Sequence, residues 1–113
     1  MLDILFVRPK PNNPLSPRTV YVQYDEARQL AYFGVTRDIA GRRSVISRYA
    51  PDAPIVFCKT GVPRAFGVRR QIHDRLAPHR VGGNWFAVSL DLALAAFRAE
   101  TNRFGEIENI SAF

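Results

Sequence analysis

The sequence is poor in cysteine and has no long apolar run. Its 113 residues contain one cysteine, Cys58, which excludes an internal disulfide, so the fold does not depend on an oxidising compartment. No stretch approaches the roughly 18 consecutive apolar residues that predict a membrane-spanning helix. The apolar run at residues 2–7 is interrupted by Asp3 and is too short for a secretory signal. We therefore expect a cytoplasmic protein without a membrane span.

The composition is typical of one folded domain. Hydrophobic residues make up 47% of the chain, and eight Phe, four Tyr and one Trp can fill a core, which argues against wholesale disorder. Cys58 ends the run Pro-Ile-Val-Phe-Cys, and this setting predicts a buried strand thiol and not a nucleophile.

The charge is strongly basic and is carried by arginine. The formal net charge is +6, and 14 of the 16 basic residues are Arg, whose planar guanidinium binds phosphate bidentately. From Arg37 to Arg80 there are ten basic residues and three acids, a local net charge of +7. This concentration favours a polyanion as partner, and nucleic acid is the expected one. Ordinary solvated charges are the alternative.

Three segments can be distinguished along the chain. Residues 1–18 hold the N-terminal apolar run and an extended arm with four prolines in nine residues, which can sustain neither helix nor sheet. Residues 19–100 form the expected domain, and the polar tail at 101–113 has no assigned structure.

A β-hairpin is predicted at the start of the domain. Residues 20–24 and 30–36 are rich in Val, Tyr and Phe, as strands are, and residues 25–28 fit a short loop. A four-residue loop there would place Tyr21 directly opposite Tyr32 on one face. A loop one residue longer would put the two tyrosines on opposite faces.

The first predicted helix carries an arginine on its apolar stripe. Asp38 is a suitable N-cap for a helix from Ile39 to about Tyr49, and Arg42 follows the spacing of Ile39 and Ile46. Arg43 and Arg48 are expected to project away from this stripe. An inward guanidinium must be paired or open onto a cleft, so both a cleft and a structural salt bridge remain open for Arg42.

A strand at residues 54–58, a turn at 60–63 and a second helix from Pro63 to Ala77 are expected next. This helix should bury Val68, Ile72 and Leu76 and carry Phe66, Arg69 and His73 on the adjacent line. A histidine at the edge of a buried face can be a hydrogen-bonded core residue or a catalyst.

For the last part of the domain, the sequence predicts a loop at residues 78–84 and a short strand at 85–88. A helix capped by Ser89 or Asp91 is then expected through about Glu100. The predicted order is β-β-α-β-α-(β)-α. It implies an α+β fold in which helices pack on a small, mostly antiparallel sheet begun by the hairpin.

Several motifs together resemble the GIY-YIG nuclease superfamily over residues 19–97. Tyr32-Phe33-Gly34 resembles the second signature, and Thr19-Val20-Tyr21 stands eleven residues upstream, tyrosine to tyrosine, where the first belongs. Arg42 follows Gly34 by eight residues, the spacing of the family's catalytic arginine. Residues 73–86 are similar to the segment H-x-R-F-A-x-x-R-V-x-G-E-W-F of a small phage and bacterial branch.

The resemblance implies a phosphodiester-cleaving site. Tyr21, assisted by Tyr32, would orient or deprotonate the attacking water, and Arg42 would stabilise the charge that develops on the phosphate. In the family, a glutamate on the following helix holds a single divalent metal ion.

The sequence departs from the family pattern at the metal site. Arg69 stands where the glutamate is expected, with Arg70 beside it, and Asn84 replaces the acid of the G-E-W-F segment. Thr19 replaces the usual glycine of the first signature. A guanidinium cannot ligate Mg²⁺, which takes oxygen ligands, so we assign no metal-binding residue and expect Mg²⁺ only if the protein is active.

Three functions follow as hypotheses. The first is a non-catalytic nucleic-acid-binding protein on a GIY-YIG-like scaffold. The second is an active endonuclease that hydrolyses DNA phosphodiesters, either with another metal-binding acid or with metal-independent chemistry led by Arg42, Arg69 and His73, where His73 is a catalytic residue. The third is a phage-type inhibitor or interaction protein whose basic face binds an acidic protein. The sequence leaves the oligomeric state open. The residues expected to contact nucleic acid are Arg37, Arg43, Arg69, Arg70 and Arg80.

Overall fold

A computed structural model describes residues 16–109. They form an α+β fold with a six-stranded antiparallel sheet and three helices, as the sequence predicted. The predicted apolar run and most of the proline-rich arm lie outside the described residues. None of the helices within residues 16–109 is both long and apolar enough to cross a bilayer. The elements are β1 (Arg18–Asp25), β2 (Leu30–Thr36), α1 (Ile39–Tyr49), β3 (Ile55–Val62), α2 (Ala65–Arg75), β4 (Arg80–Gly82), β5 (Trp85–Ala87), α3 (Leu90–Thr101) and β6 (Glu108–Asn109).

Strand β1 lies in the interior of the sheet, whose order is β4-β5-β2-β1-β3-β6. It pairs antiparallel with β2 on one side and β3 on the other, and all eight of its residues are buried. Successive side chains of a strand point to opposite faces, so β1 contributes to two separate packing layers.

The larger layer lies between the sheet and helices α2 and α3. Its fully buried side chains include Phe33, Phe86, Phe97 and Ile72. The opposite face carries a smaller cluster in which Ile46 of α1 packs with buried residues of β1 and β3, namely Tyr21, Ile55 and Cys58. Because Ile46 is the only buried residue of α1, this helix covers its face of the sheet lightly.

The hairpin turn differs from the prediction by one residue. The Asp25 carboxylate accepts a hydrogen bond from the Arg28 backbone N–H at 3.0 Å, and Gln29 adopts a left-handed conformation with φ of 53°. These features place the four-residue loop at residues 26–29 and pair Asp25 with Leu30. The predicted direct pairing of Tyr21 with Tyr32 is therefore wrong by two residues, a shift that keeps both on one face.

Helix α1 has the predicted bounds, and the Asp38 side chain caps it by accepting a hydrogen bond from the Gly41 N–H at 2.9 Å. The predicted apolar stripe is only partly correct. Tyr49 is 79% exposed, and Arg42 is exposed and not buried, while Arg43 is half-buried. The prediction is wrong for Arg42 and Tyr49 because the helix contacts the sheet mainly through Ile46.

Helix α2 begins at Ala65 and not at the predicted Pro63. Strand β3 continues to Val62 through a bulge at which Gly61 has a φ of 67°, so the turn expected at residues 60–63 is mostly strand. Arg64 then takes a left-handed conformation that redirects the chain into the helix. The buried line of Val68, Ile72 and Leu76 is confirmed.

The predicted Ser89 cap of helix α3 is confirmed. The Ser89 hydroxyl accepts a hydrogen bond from the Leu92 N–H at 3.1 Å. Two short strands were not predicted. Strand β4 lies within the expected loop, and β6 lies within the unassigned tail and pairs with β3.

Candidate functional site

Tyr21 and Tyr32 lie on one face of the sheet, the face covered by α1. Tyr21 is directly opposite Gly34 and Tyr32 is opposite Gln23, so the two tyrosines are diagonal neighbours. Their ring centroids are 6.4 Å apart. The structure therefore brings together the two tyrosines singled out in the sequence, although in a register two residues away from the predicted one.

The Tyr21 phenol is held in its neutral form. Burial is the largest effect and raises the pKa of Tyr21 above its ordinary value. The neighbouring Tyr32 raises this pKa further, whereas the positive charges of Arg42 and Arg69 lower it. The residue is only 3% exposed. At neutral pH the hydroxyl is thus a hydrogen-bond donor and not a tyrosinate base.

The antiparallel topology gathers arginines at one end of the sheet. Thr36 at the end of β2 and Val62 at the end of β3 both pair near the start of β1. Helices α1 and α2 follow these two strand ends, so both begin at the same end of the sheet. We call this the basic end, and its arginines are Arg37, Arg42, Arg43, Arg64, Arg69 and Arg70.

The two arginines that act on Tyr21 are not neutralised by acids of the described region. The salt bridges found within residues 16–109 join Arg28 to Asp25, Lys59 to Glu108 and Arg75 to Glu100. Arg42 is exposed, whereas Arg69 is half-buried and its guanidinium lies 5.3 Å from the centre of the Phe66 ring.

His73 lies on the other face of the sheet from Tyr32. Its ring packs 5.0 Å from Phe86 and 6.3 Å from Phe33, measured between ring centroids. Its pKa is lowered mainly by burial and further by Arg69 and Arg80, while Asp74 opposes the shift. Its buried Nε2 has no hydrogen-bond partner among the described residues.

The remaining predicted contact residues divide between two regions. Arg37 and Arg70 are exposed at the basic end. Arg80 is exposed on the edge strand β4, where its Nε donates to the Gly83 carbonyl at 2.6 Å. Arg80 pairs with Phe86 of the α2 and α3 layer, so it lies on the face of the sheet opposite the tyrosine pair.

The residues present do not fit the divalent metal ion that the family resemblance implies. Within residues 16–109 no group of three or more His, Cys, Asp or Glu side chains is arranged to hold a metal ion. At the position of the expected ligand, Arg69 places a positive charge that acts on Tyr21. Asn84 is exposed in the turn between β4 and β5. Hard divalent cations such as Mg²⁺ take oxygen ligands, chiefly carboxylates, and neither position provides a carboxylate.

Trp85 extends the tyrosine pair in a way that the sequence did not predict. It lies opposite Tyr32 in the sheet, and the two ring centroids are 5.2 Å apart. Beyond Trp85 is a cleft of about 360 Å³. A tryptophan that begins a short strand suggests core packing in sequence, so only the strand pairing reveals its place beside the tyrosines.

Comparison with known proteins finds no matching family model, no similar curated protein and no similar solved structure. The functional interpretation therefore depends on the residues of this chain.

Proposed function

We propose that this protein binds the sugar–phosphate backbone of nucleic acid, DNA in particular, at its basic end and does not cleave it. The observation that carries this proposal is the position of helices α1 and α2, which both begin at one end of the sheet and bring their arginines, Arg42 and Arg69 among them, to that end. Guanidinium groups bind phosphate oxygens through charge-assisted, often bidentate hydrogen bonds, so this cluster of arginines matches the chemistry of a nucleic-acid backbone.

Helix α2 adds a second attraction for anions at the basic end. Its N-terminus has no side-chain cap and no acidic residue in the first turn. Unsatisfied backbone N–H groups and the helix dipole favour negative charge at such a position. This support is auxiliary to that of Arg42 and Arg69.

The same features argue against cleavage. A general base works best when its pKa is near the operating pH, but burial moves the pKa of Tyr21 upward and away from neutrality. Arg69 takes the place of the carboxylate that the GIY-YIG resemblance requires. The scaffold then serves to position cations for binding, which is the role we assign to it.

Charge reversal tests the binding surface. We expect Arg42→Glu and Arg69→Glu to weaken binding to a DNA duplex at low salt, and to reduce the slope of log K against log salt by about one for each lost phosphate contact. Arg98→Glu on the exposed side of α3 is the matched control. Unchanged affinity and slope in both Arg42→Glu and Arg69→Glu would place the binding surface elsewhere.

The nature of the partner follows from the same titrations. A polyanion partner gives a steep salt dependence with little preference among sequences. If an acidic protein is the sole partner, this protein should not bind bulk DNA even at low salt.

Incubation of supercoiled DNA, branched DNA and RNA with Mg²⁺ or Mn²⁺ tests the absence of cleavage. We expect no nicked or shortened product. Nicking that is lost in both Arg42→Ala and Tyr21→Phe would show an active nuclease and overturn the non-catalytic proposal.

A further inference from the structure

A cleft lies beside the aromatic residues on the α1 face of the sheet. Its volume of about 360 Å³ is at the lower end of the roughly 300–1,000 Å³ usual for small-molecule sites, which suits a single flat ring system. The hairpin loop, the C-terminal end of α1 and strand β5 enclose it. The side chains relevant to binding are Asp25, Arg28, Tyr49, Asp52 and Trp85.

A row of neighbouring aromatic rings connects the cleft with the proposed phosphate site. Tyr21 is 6.4 Å from Tyr32, and Tyr32 is 5.2 Å from Trp85, measured between centroids. Trp85 lines the cleft. A row of aromatic rings therefore leads from the arginines of the basic end to the cleft at the other end of β1.

Charge distinguishes the two ends of this row. Arg42 and Arg69 act at Tyr21, whereas the cleft contains two carboxylates. Asp25 is bonded to Arg28, with 2.8 Å between Oδ2 and Nη1, and Asp52 is exposed beside the same arginine. Carboxylates repel phosphate but accept hydrogen bonds from the amino groups of bases.

The aromatic side chains of the cleft are accessible to a ligand. Tyr49 is 79% exposed and Trp85 is partly exposed. Exposed aromatic rings are the usual platform on which unpaired bases stack.

We propose that this cleft receives one unpaired nucleobase from the strand whose phosphates contact Arg42 and Arg69. The base stacks on Trp85 and Tyr49, and its amino edge donates to Asp52. The protein then selects single-stranded or unpaired positions over intact duplex, because a base within a duplex is not available for insertion. This inference rests on the proposed backbone binding.

A comparison of two probes of equal charge tests the inference. A short oligodeoxycytidylate and an abasic oligomer of the same length present the same phosphates, but only the first has bases. Trp85 is the only tryptophan of the chain, so its emission reports directly on the cleft. We expect the cytidylate to quench this emission and to bind about 5- to 150-fold more tightly than the abasic oligomer, the range of base–aromatic stacking. An intact duplex of equal phosphate number should bind more weakly than the cytidylate.

Tyr49→Ala sharpens the test because this exposed side chain contributes little to the core. It should lower the affinity for the cytidylate towards that for the abasic oligomer and leave the abasic affinity unchanged. Leu92→Ala, an exposed apolar truncation on α3, is the matched control and should change neither.

Equal binding of both oligomers with unchanged Trp85 emission would overturn the base-binding inference and leave the proposed backbone binding intact. If neither oligomer binds at low salt and the duplex does not bind either, both the base-binding inference and the proposed backbone binding would be overturned.

Discussion

The ring of Tyr21 lies directly against Gly34 of the neighbouring strand. A Cβ atom added at Gly34 would overlap both the Cζ atom and the hydroxyl oxygen of Tyr21. The absence of a side chain at position 34 therefore allows the position of the Tyr21 phenol, and both residues are buried.

Gly34→Ala should displace Tyr21 and destabilise the protein. The added methyl meets a ring that is confined by its surroundings, and overpacking of this kind costs about 1–3 kcal/mol. Denaturation in urea measures the loss. In a Tyr21→Ala background the same substitution should cost far less, because the ring it collides with is gone.

Gly67→Ala is the matched control. Gly67 lies within helix α2, and a Cβ there would meet no atom within 4 Å. Alanine is the better helix former by roughly 0.5–1 kcal/mol, so this variant should be stabilised. Equal destabilisation by the two substitutions would contradict the steric role of Tyr21.

The lowered pKa of His73 predicts that stability falls in mild acid. Burial disfavours the imidazolium in the folded protein, so the unfolded chain binds the proton first. The free energy of unfolding should therefore have its full value above the ordinary histidine pKa of about 6.5. It should decrease as the pH falls through and below this value. Urea titrations between about pH 5 and 8 detect this slope.

His73→Leu should flatten the pH dependence in this range, since leucine can pack against Phe33 and Phe86 without a proton to gain. The pKa of Asp25 is lowered by its hydrogen bonds to Arg28. This shift changes the stability only in a more acidic range, below the ordinary value of 3.8. An unchanged slope in the His73 variant would show that another group carries the effect.

The Arg75–Glu100 salt bridge joins α2 to α3 and should be important for their packing. The Glu100 side chain is 11% exposed and the Arg75 side chain 52%. Arg75→Ala would leave a largely buried carboxylate without its partner, at a cost of about 1–3 kcal/mol. Arg98 is exposed on α3, the helix that carries Glu100, and Arg98→Ala should stay within about 0.5 kcal/mol of the parent in the same denaturation experiment.

Cys58 should be unreactive in the folded protein. Burial raises its pKa to about 12, and the nearby Glu108, whose carboxylate accepts from the thiol at 3.3 Å, adds to the shift. Thiolate is the reactive form, so labelling by a disulfide reagent near neutral pH should be slow until denaturant is added. Glu108→Gln should accelerate labelling only modestly, because burial is the main cause. Rapid labelling of the native protein would contradict this account.

Local signals allowed much of the fold to be predicted. Asp38 and Ser89 are strong helix caps, and α1 ends before Pro51 as expected. The hairpin register could not be predicted, because it depends on how Asp25 closes the turn and on the left-handed Gln29. Strand β6 has only two residues, too few for a periodic pattern.

The candidate site was predicted less completely than the fold. Tyr21 and Tyr32 are neighbours and Arg42 acts on Tyr21, since a hairpin and the helix after it are local in sequence. The place of Trp85 depends on the pairing of β5 with β2, a contact over more than fifty residues that no local pattern encodes. The resemblance to GIY-YIG nucleases remains a prediction.

The basic end also bears on the thermal stability of the free protein. Arg42 and Arg69 act on the same phenol, and neither belongs to a salt bridge within residues 16–109. Like charges that converge in this way repel each other until an anion neutralises them. Selection for a higher melting temperature and selection for polyanion affinity would therefore act on these two positions in opposite directions.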